Sequence, residues 1–164
     1  MESLKNRPWY KHYPVNTSLE VPEKSLYYLL EKSTQNYPEH TAIIFENEKT
    51  SYRELKDQVD RLAGAWEQMG FQKGERIGLM LGNHPHYIIS YYAALALGLI
   101  VVQINPMYTS RELLHILNDS QASYIVGDAT ASETILEANE TYKIQQIFSS
   151  ELNQDSPTFQ HLEE

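Results

Sequence analysis

Gly98-Leu-Ile-Val-Val-Gln-Ile-Asn-Pro-Met-Tyr-Thr-Ser-Arg-Glu-Leu113 decides how the chain is to be read. From Leu99 to Ile104 it is apolar and β-branched, with Gln103 as the one polar residue. Strands of that kind suit a parallel sheet covered on both faces. Asn105-Pro106 forces a stop, because proline has no amide to give to a ladder. Thr109-Ser-Arg-Glu112 then has the spacing of a capping box, which opens a helix carrying Leu113, Leu114 and Leu117. A buried strand, a stop and a capped helix make half of a βαβ unit.

The same grammar extends outward in both directions. Upstream, Arg76–Leu81 reads as a strand. Pro85 suits a first helical turn, with Asn83 or His84 as the cap. The helix that follows is apolar nearly all round, through Ile88, Ile89, Tyr92, Ala93, Ala96 and Leu97, so it is expected to be buried on more than one side. Before it, Ser51-Tyr-Arg-Glu54 is a second capping box. Leu55, Val59, Leu62, Ala63, Trp66 and Met69 fall on one helical face, Asp57 and Arg61 can pair on the other, and Gly70 is placed to end the helix. Thr41–Phe45 and Lys49–Ser51 read as a hairpin turning at Asn47-Glu48, preceded by a helix over Ser25–Asn36 that Pro38 stops. Downstream, Tyr124–Val126 is a strand, Thr130-x-x-Glu133 opens a weaker helix through Ile135 and Leu136, and Ile144–Phe148 is a last strand.

Strand and helix alternate about four times with short links. Right-handed crossovers then predict an α/β fold: a doubly wound, mostly parallel sheet with helices on both faces. Arg76–Leu81 and Leu99–Ile104 are expected among its central strands. The expected organisation is an extended arm over residues 1–24, an α/β domain over 25–148 and a polar tail over 149–164. Pro8, Pro14 and Pro22 keep the arm from folding regularly.

Composition narrows the function. The 164 residues carry a net charge of −9 and a pI near 5.1, with no block of Lys or Arg. That argues against a nucleic-acid or anionic-membrane binder. There is no cysteine, so disulfides, thiol nucleophiles and zinc–thiolate sites are excluded and a reducing compartment fits. Met1–Pro14 has no apolar signal region. The window Ile88–Ile104 is too short and too interrupted for a membrane span.

Chemistry-bearing patterns are scarce. No G-x-x-x-x-G-K-S/T loop and no G-x-G-x-x-G follows a strand, and there is no G-x-S-x-G elbow. Gly78-Leu-Met-Leu-Gly82 has an apolar strand between its glycines and cannot cradle a phosphate. His84-Pro85-His86 has no neighbouring carboxylate and reads as a polar helix cap rather than a metal pair. Tyr27-Tyr28 and Tyr91-Tyr92 sit on amphipathic helices, where packing explains them. Sequon matches at Asn16, Asn118 and Asn139 lack a secretory signal and carry no weight. The residues alone describe an α/β domain without a visible active site.

Several blocks in order carry a resemblance. Tyr37-Pro-Glu-His-Thr-Ala-Ile-Ile-Phe45, Thr50-Ser-Tyr-Arg-Glu-Leu55, Lys73-Gly-Glu-Arg-Ile-Gly78, the helix Asn83–Gly98, Val101–Leu113 with its N-P-x-Y-T core, and Leu117-Asn-Asp-Ser-Gln-Ala122 together resemble the bacterial long-chain fatty acid–CoA ligases of the adenylate-forming acyl-CoA synthetase superfamily. Glu75 stands where that family usually has Asp, and Gly82 where Pro is common. The resemblance implies a parent enzyme that activates a fatty acid with ATP and Mg²⁺ to an acyl-adenylate and transfers it to CoA, in the cytoplasm or peripheral to a membrane. The family's T-G-T-T-G-x-P-K loop, its later nucleotide-contacting motifs and its C-terminal lysine have no counterpart here. The chain is therefore expected to be an N-terminal fragment, inactive alone and binding no ATP, with no catalytic, cofactor-binding or metal residue. Two alternatives stand beside it: a medium-chain or aryl acid ligase of the same superfamily, and a non-enzymatic binding or assembly module. The expected partners are a fatty acid for the parent, no nucleic acid, and a homodimer as a candidate assembly. Trp9 and Tyr10 on the arm, or an uncovered sheet edge, would hold that dimer.

Overall fold

The computed structural model describes residues 23–149 and the pair 160–161. The arm expected over residues 1–24, with Trp9 and Tyr10, lies almost wholly outside the described residues.

Helix α1 (Tyr27–Asn36) precedes a hairpin of β1 (Thr41–Phe45) and β2 (Glu48–Ser51). The turn falls at Glu46-Asn47, one residue earlier than expected, and Glu46 takes the left-handed conformation (φ 53°). Ser51 then caps α2 (Tyr52–Gln68) with both halves of a capping box formed. Three βα units follow: β3 (Arg76–Met80), α3 (Pro85–Ala96), β4 (Ile100–Gln103), α4 (Ser110–Ser120), β5 (Tyr124–Gly127), α5 (Ser132–Tyr142) and β6 (Gln146–Ser149). A two-residue strand β7 (Gln160–His161) pairs with β6. Every pairing in the larger sheet is parallel and its order is β4-β3-β5-β6-β7.

The pleat distributes side chains to two cores. Ile77, Leu79, Tyr124, Val126 and Phe148 pack with α1, α2 and α3, around a fully buried Trp66. Met80, Ile125 and Ile147 pack on the opposite face with Leu113 and Leu117 of α4 and Ile135 and Ala138 of α5. Helices on both faces with parallel strands between them are the doubly wound arrangement that the strand–helix alternation predicts. Two glycines let the second layer press close. A Cβ on Gly78 would lie 2.8 Å from Ile104 Cδ1, and one on Gly127 only 2.3 Å from Ile135 Cδ1.

Five expectations need correction. Strand β4 lies at the edge of the described sheet rather than among its central strands. Ile100 is 46% exposed, and Val101 and Val102 are half-buried. The run is apolar enough for the interior, but no strand among the described residues covers its far side. Helix α3 fully buries only Ser90, Ala93 and Ala94. Ile88, Ile89, Tyr92 and Leu97 stay half-buried and Ala96 is exposed, with α1, α2, β3 and β4 packed against the helix. On α2, the ion pair forms between Lys56 and Asp60, while Arg61 Nε donates to the main-chain oxygen of Asp57. Met69 has already left the helix and is 44% exposed. Finally, Thr130 does not cap α5, which has no capping side chain at Ala131; its hydroxyl donates to Asp128 instead.

Candidate functional site

In an open parallel sheet, ligands bind outside the carboxyl ends of the strands, where consecutive crossovers leave in opposite directions. Here that point lies between β3 and β5. The chain runs from β3 to its neighbour β4 on one side, then crosses to β5 on the other.

Asp128 closes the gap between these two strand ends. Its Oδ2 accepts the Gly82 N–H at 2.8 Å. Its Oδ1 accepts the Thr130 N–H at 3.1 Å, the Ala131 N–H at 3.2 Å and the Thr130 hydroxyl. Burial pushes the carboxyl group's pKa up, but the Thr130 hydroxyl and the three amides outweigh it and hold the group below its usual range. Asp128 is therefore a charged clamp with its acceptor positions committed. Sequence reasoning passed over it. The signal was the Asp-x-Thr spacing after an apolar strand, which is the form of an Asx turn leading into a helix.

Beside the clamp, the β3–α3 loop walls a cleft of about 320 Å³. Ile43, Ile44 and Phe45 of the hairpin form one wall, Leu81, Gly82 and Asn83 the floor, and Tyr87 and Ile88 of α3 the other wall. His84 stands at the rim, 4.8 Å edge-on from the Phe45 ring. As expected, His84 is the cap of α3: its Nδ1 accepts the His86 N–H at 3.2 Å, with Pro85 in the first turn. That bond occupies Nδ1 of His84, and His86 lines a separate groove with Asp60, Arg61 and Ser90.

Both capping boxes prove to be closed structural devices. Glu54 Oε2 accepts from the Ser51 N–H and hydroxyl at 2.7 and 2.8 Å. Glu112 Oε2 accepts from the Thr109 N–H and hydroxyl at 2.9 and 2.8 Å. Main-chain and then hydroxyl donors lower both carboxyl pKa values. After β4, Asn105 Oδ1 turns back to accept the Met107 N–H at 3.0 Å, which leaves the Met107 side chain 84% exposed.

The loops at this end thus spend their donors on themselves. Among the described residues no three of His, Cys, Asp or Glu gather to hold a metal ion. The Asp128 carboxylate at the strand ends would repel a polyphosphate.

Comparison with known proteins gives the context. The family profile described as AMP-binding enzyme matches residues 30–162. A long-chain-fatty-acid–CoA ligase of Bacillus subtilis is 39% identical over 122 residues, covering 73% of this chain and 22% of that protein. A crystal structure of a long-chain-fatty-acid–CoA ligase from Archaeoglobus fulgidus superposes with a TM-score of 0.77 at 29% identity, covering 87% of this chain and 30% of that one. A benzoate CoA ligase from Burkholderia xenovorans shares the fold, with a TM-score of 0.73 at 23% identity over 77% of this chain and 26% of that one. The chain spans about a fifth to a third of the length of these proteins. No helix among the described residues is long and apolar enough to cross a membrane.

Proposed function

The chain belongs to the family of AMP-binding enzymes, and from that premise we propose that it is the N-terminal structural portion of an ATP-dependent long-chain fatty acid–CoA ligase. The observation that carries this reading is the 39% identity to a ligase of that name over nearly three quarters of the chain, together with the N-P-x-Y-T form of the segment 105–109. The parent would convert fatty acid, ATP and CoA to acyl-CoA, AMP and pyrophosphate. This portion would supply the parallel sheet and its flanking helices. Its described residues would contribute no nucleophile, acid or base, since the Asp128 carboxylate between the β3 and β5 ends is committed to main-chain donors.

An aryl acid as substrate is the second reading, favoured by the shared fold of the benzoate CoA ligase. The test is ATP–pyrophosphate exchange by the full gene product, followed by thioester formation with CoA. Palmitate-dependent exchange is expected, and exchange that requires benzoate would replace the fatty acid by an aryl acid. The 164-residue chain alone is expected to give background exchange, and activity above it would overturn the structural role.

A further inference from the structure

Helices α2 and α3 pack against each other and leave an open groove of about 680 Å³ between them. Its α2 wall runs from Gln58 to Gln68, about 15 Å of helix. Midway along it stands Gly64, where an added Cβ would meet nothing within 4 Å. Leu62 and Ile89 make the lining apolar between the polar ends. On the α3 wall, Ser90 carries a hydroxyl that is fully closed to solvent and has no hydrogen-bond partner. Native proteins pair nearly all buried polar side-chain atoms, so this hydroxyl is an unfilled position on the groove wall. Charge is distributed just as unevenly. Arg61 Nε donates to the Asp57 carbonyl oxygen at 3.3 Å, while its Nη groups meet no acceptor among the described residues. Asp60, the carboxylate of the lining, accepts from the Tyr27 hydroxyl and is ion-paired with Lys56. In a chain of net charge −9, the groove thus offers an unpaired cation and an unpaired donor, and its anion is already neutralised.

We propose that the α2–α3 groove is a binding site for a small amphiphilic monocarboxylate. The Arg61 guanidinium pairs with the carboxylate, for which its planar fork of donors is suited. The Ser90 hydroxyl donates to a ligand oxygen, and the alkyl body lies over Leu62, Gly64 and Ile89. One free guanidinium matches one carboxylate, whereas a polyphosphate would bring several negative charges to a wall that also holds Asp60. The apolar stretch and the length of the groove favour an extended organic body over a compact inorganic anion. The groove and the cleft beside β3 share no lining residue, so they are separate sites. The inference goes beyond the ligase reading and does not rest on it, since every group it uses lies in this chain and no reaction is assigned to the groove.

The test is isothermal titration calorimetry of the 164-residue chain with sodium octanoate, with circular dichroism recording the fold of each variant. A saturable one-to-one isotherm is expected, with a Kd of about 1 mM or tighter. Arg61→Gln should weaken binding by at least about tenfold, and so should replacing octanoate by octanol, which keeps the body and removes the charge. Ser90→Ala should weaken it by roughly threefold or more. Gly64→Leu fills the groove from a helix position where leucine is favoured over glycine, so the fold is kept and binding is lost. Unchanged octanoate binding in any of the three variants overturns the proposal, as does the absence of saturation up to about 10 mM. Octanol bound as tightly as octanoate overturns the carboxylate and with it the site. Binding that survives Gly64→Leu but is lost in Ile44→Asp places the ligand in the cleft beside β3 and also overturns it.

Discussion

Strands β3 and β4 are neighbours of similar apolarity and opposite fate. From Ile77 to Met80, β3 is buried throughout, with Ile77, Leu79 and Met80 fully closed to solvent. No residue of β4 is fully buried, although Ile-Val-Val has the stronger β-propensity. The strands share a register, Ile77 beside Val101 and Gly78 beside Val102. What separates them is the second neighbour. Strand β3 has β5 on its other side and β4 has nothing described there. Apolarity records how much burial a strand needs, and topology decides how much it receives.

The largest effect should come from a charge placed on each strand. Leu79→Asp puts a carboxylate among Trp66-side core residues with no donor to meet it, and the domain is expected to unfold, at a cost above about 4 kcal/mol. Leu62→Asp, at a buried α2 position, belongs with it. The sequence pattern gives Val101→Asp the same outcome. Its half-buried place at the edge lets the carboxylate reach water, so about 1–3 kcal/mol is expected. Urea denaturation followed by circular dichroism separates the two. Equal losses at Leu79 and Val101 would mean that β4 is as enclosed as β3 in this chain.

The next effect tests how β3 is held. Asp128 ties the end of β3 to β5 through Gly82, and β4 has no such tie among the described hydrogen bonds. Asp128→Ala strands the Gly82 amide and removes the acceptor for the α5 entry, at about 1–3 kcal/mol. The pH dependence has a definite sign. The carboxyl pKa is lowered in the folded state, despite burial, by the Thr130 hydroxyl and three amides. Its contribution is complete above the unfolded value, near 3.9, and is lost as pH falls through the folded value. Urea midpoints measured from pH 7 downward should therefore fall below about pH 4, and less steeply in Asp128→Asn. An unchanged acid slope in Asp128→Asn would show that other carboxylates set it.

The elements were legible where one local rule governed them. Ser51–Glu54 and Thr109–Glu112 form the capping boxes their spacing specifies, Gly70 takes the positive φ expected of a helix stop (93°), and Pro85 with His84 opens α3. What could not be read was choice among neighbours. Asp57–Arg61 and Lys56–Asp60 have the same i,i+4 spacing, and only the second forms an ion pair. Asp60 also receives the Tyr27 hydroxyl from α1, a contact 33 residues away that no local pattern contains. The edge position of β4 is illegible for the same reason, since strand order is a long-range property. Asp128 was hidden because its partner Gly82 lies 46 residues upstream. The candidate cleft gathers residues from the hairpin, the β3–α3 loop and α3, and none of these marks itself as a site in the sequence.

The smallest effect gives the sharpest reading of the two strands. Ile100→Thr replaces the ethyl arm on Cβ by a hydroxyl at a side chain that is 46% exposed. Threonine keeps the β-branch, so strand propensity is nearly unchanged. The hydroxyl can remain in water, and the expected change in stability is within about 0.5 kcal/mol. The same substitution at Ile77, which is fully buried and in register with both Val101 and Tyr124, places a hydroxyl where no partner is waiting, and about 1–3 kcal/mol is expected. The pair of urea midpoints for the 164-residue chain measures the contrast, with light scattering on the same samples. If Ile100→Thr costs as much as Ile77→Thr and the scattering mass is that of a dimer, a second copy covers β4 in this chain. If the costs match and the mass is that of a monomer, a segment within the chain covers the edge. A near-neutral Ile100→Thr in a monomer leaves the edge open, as it is among the described residues.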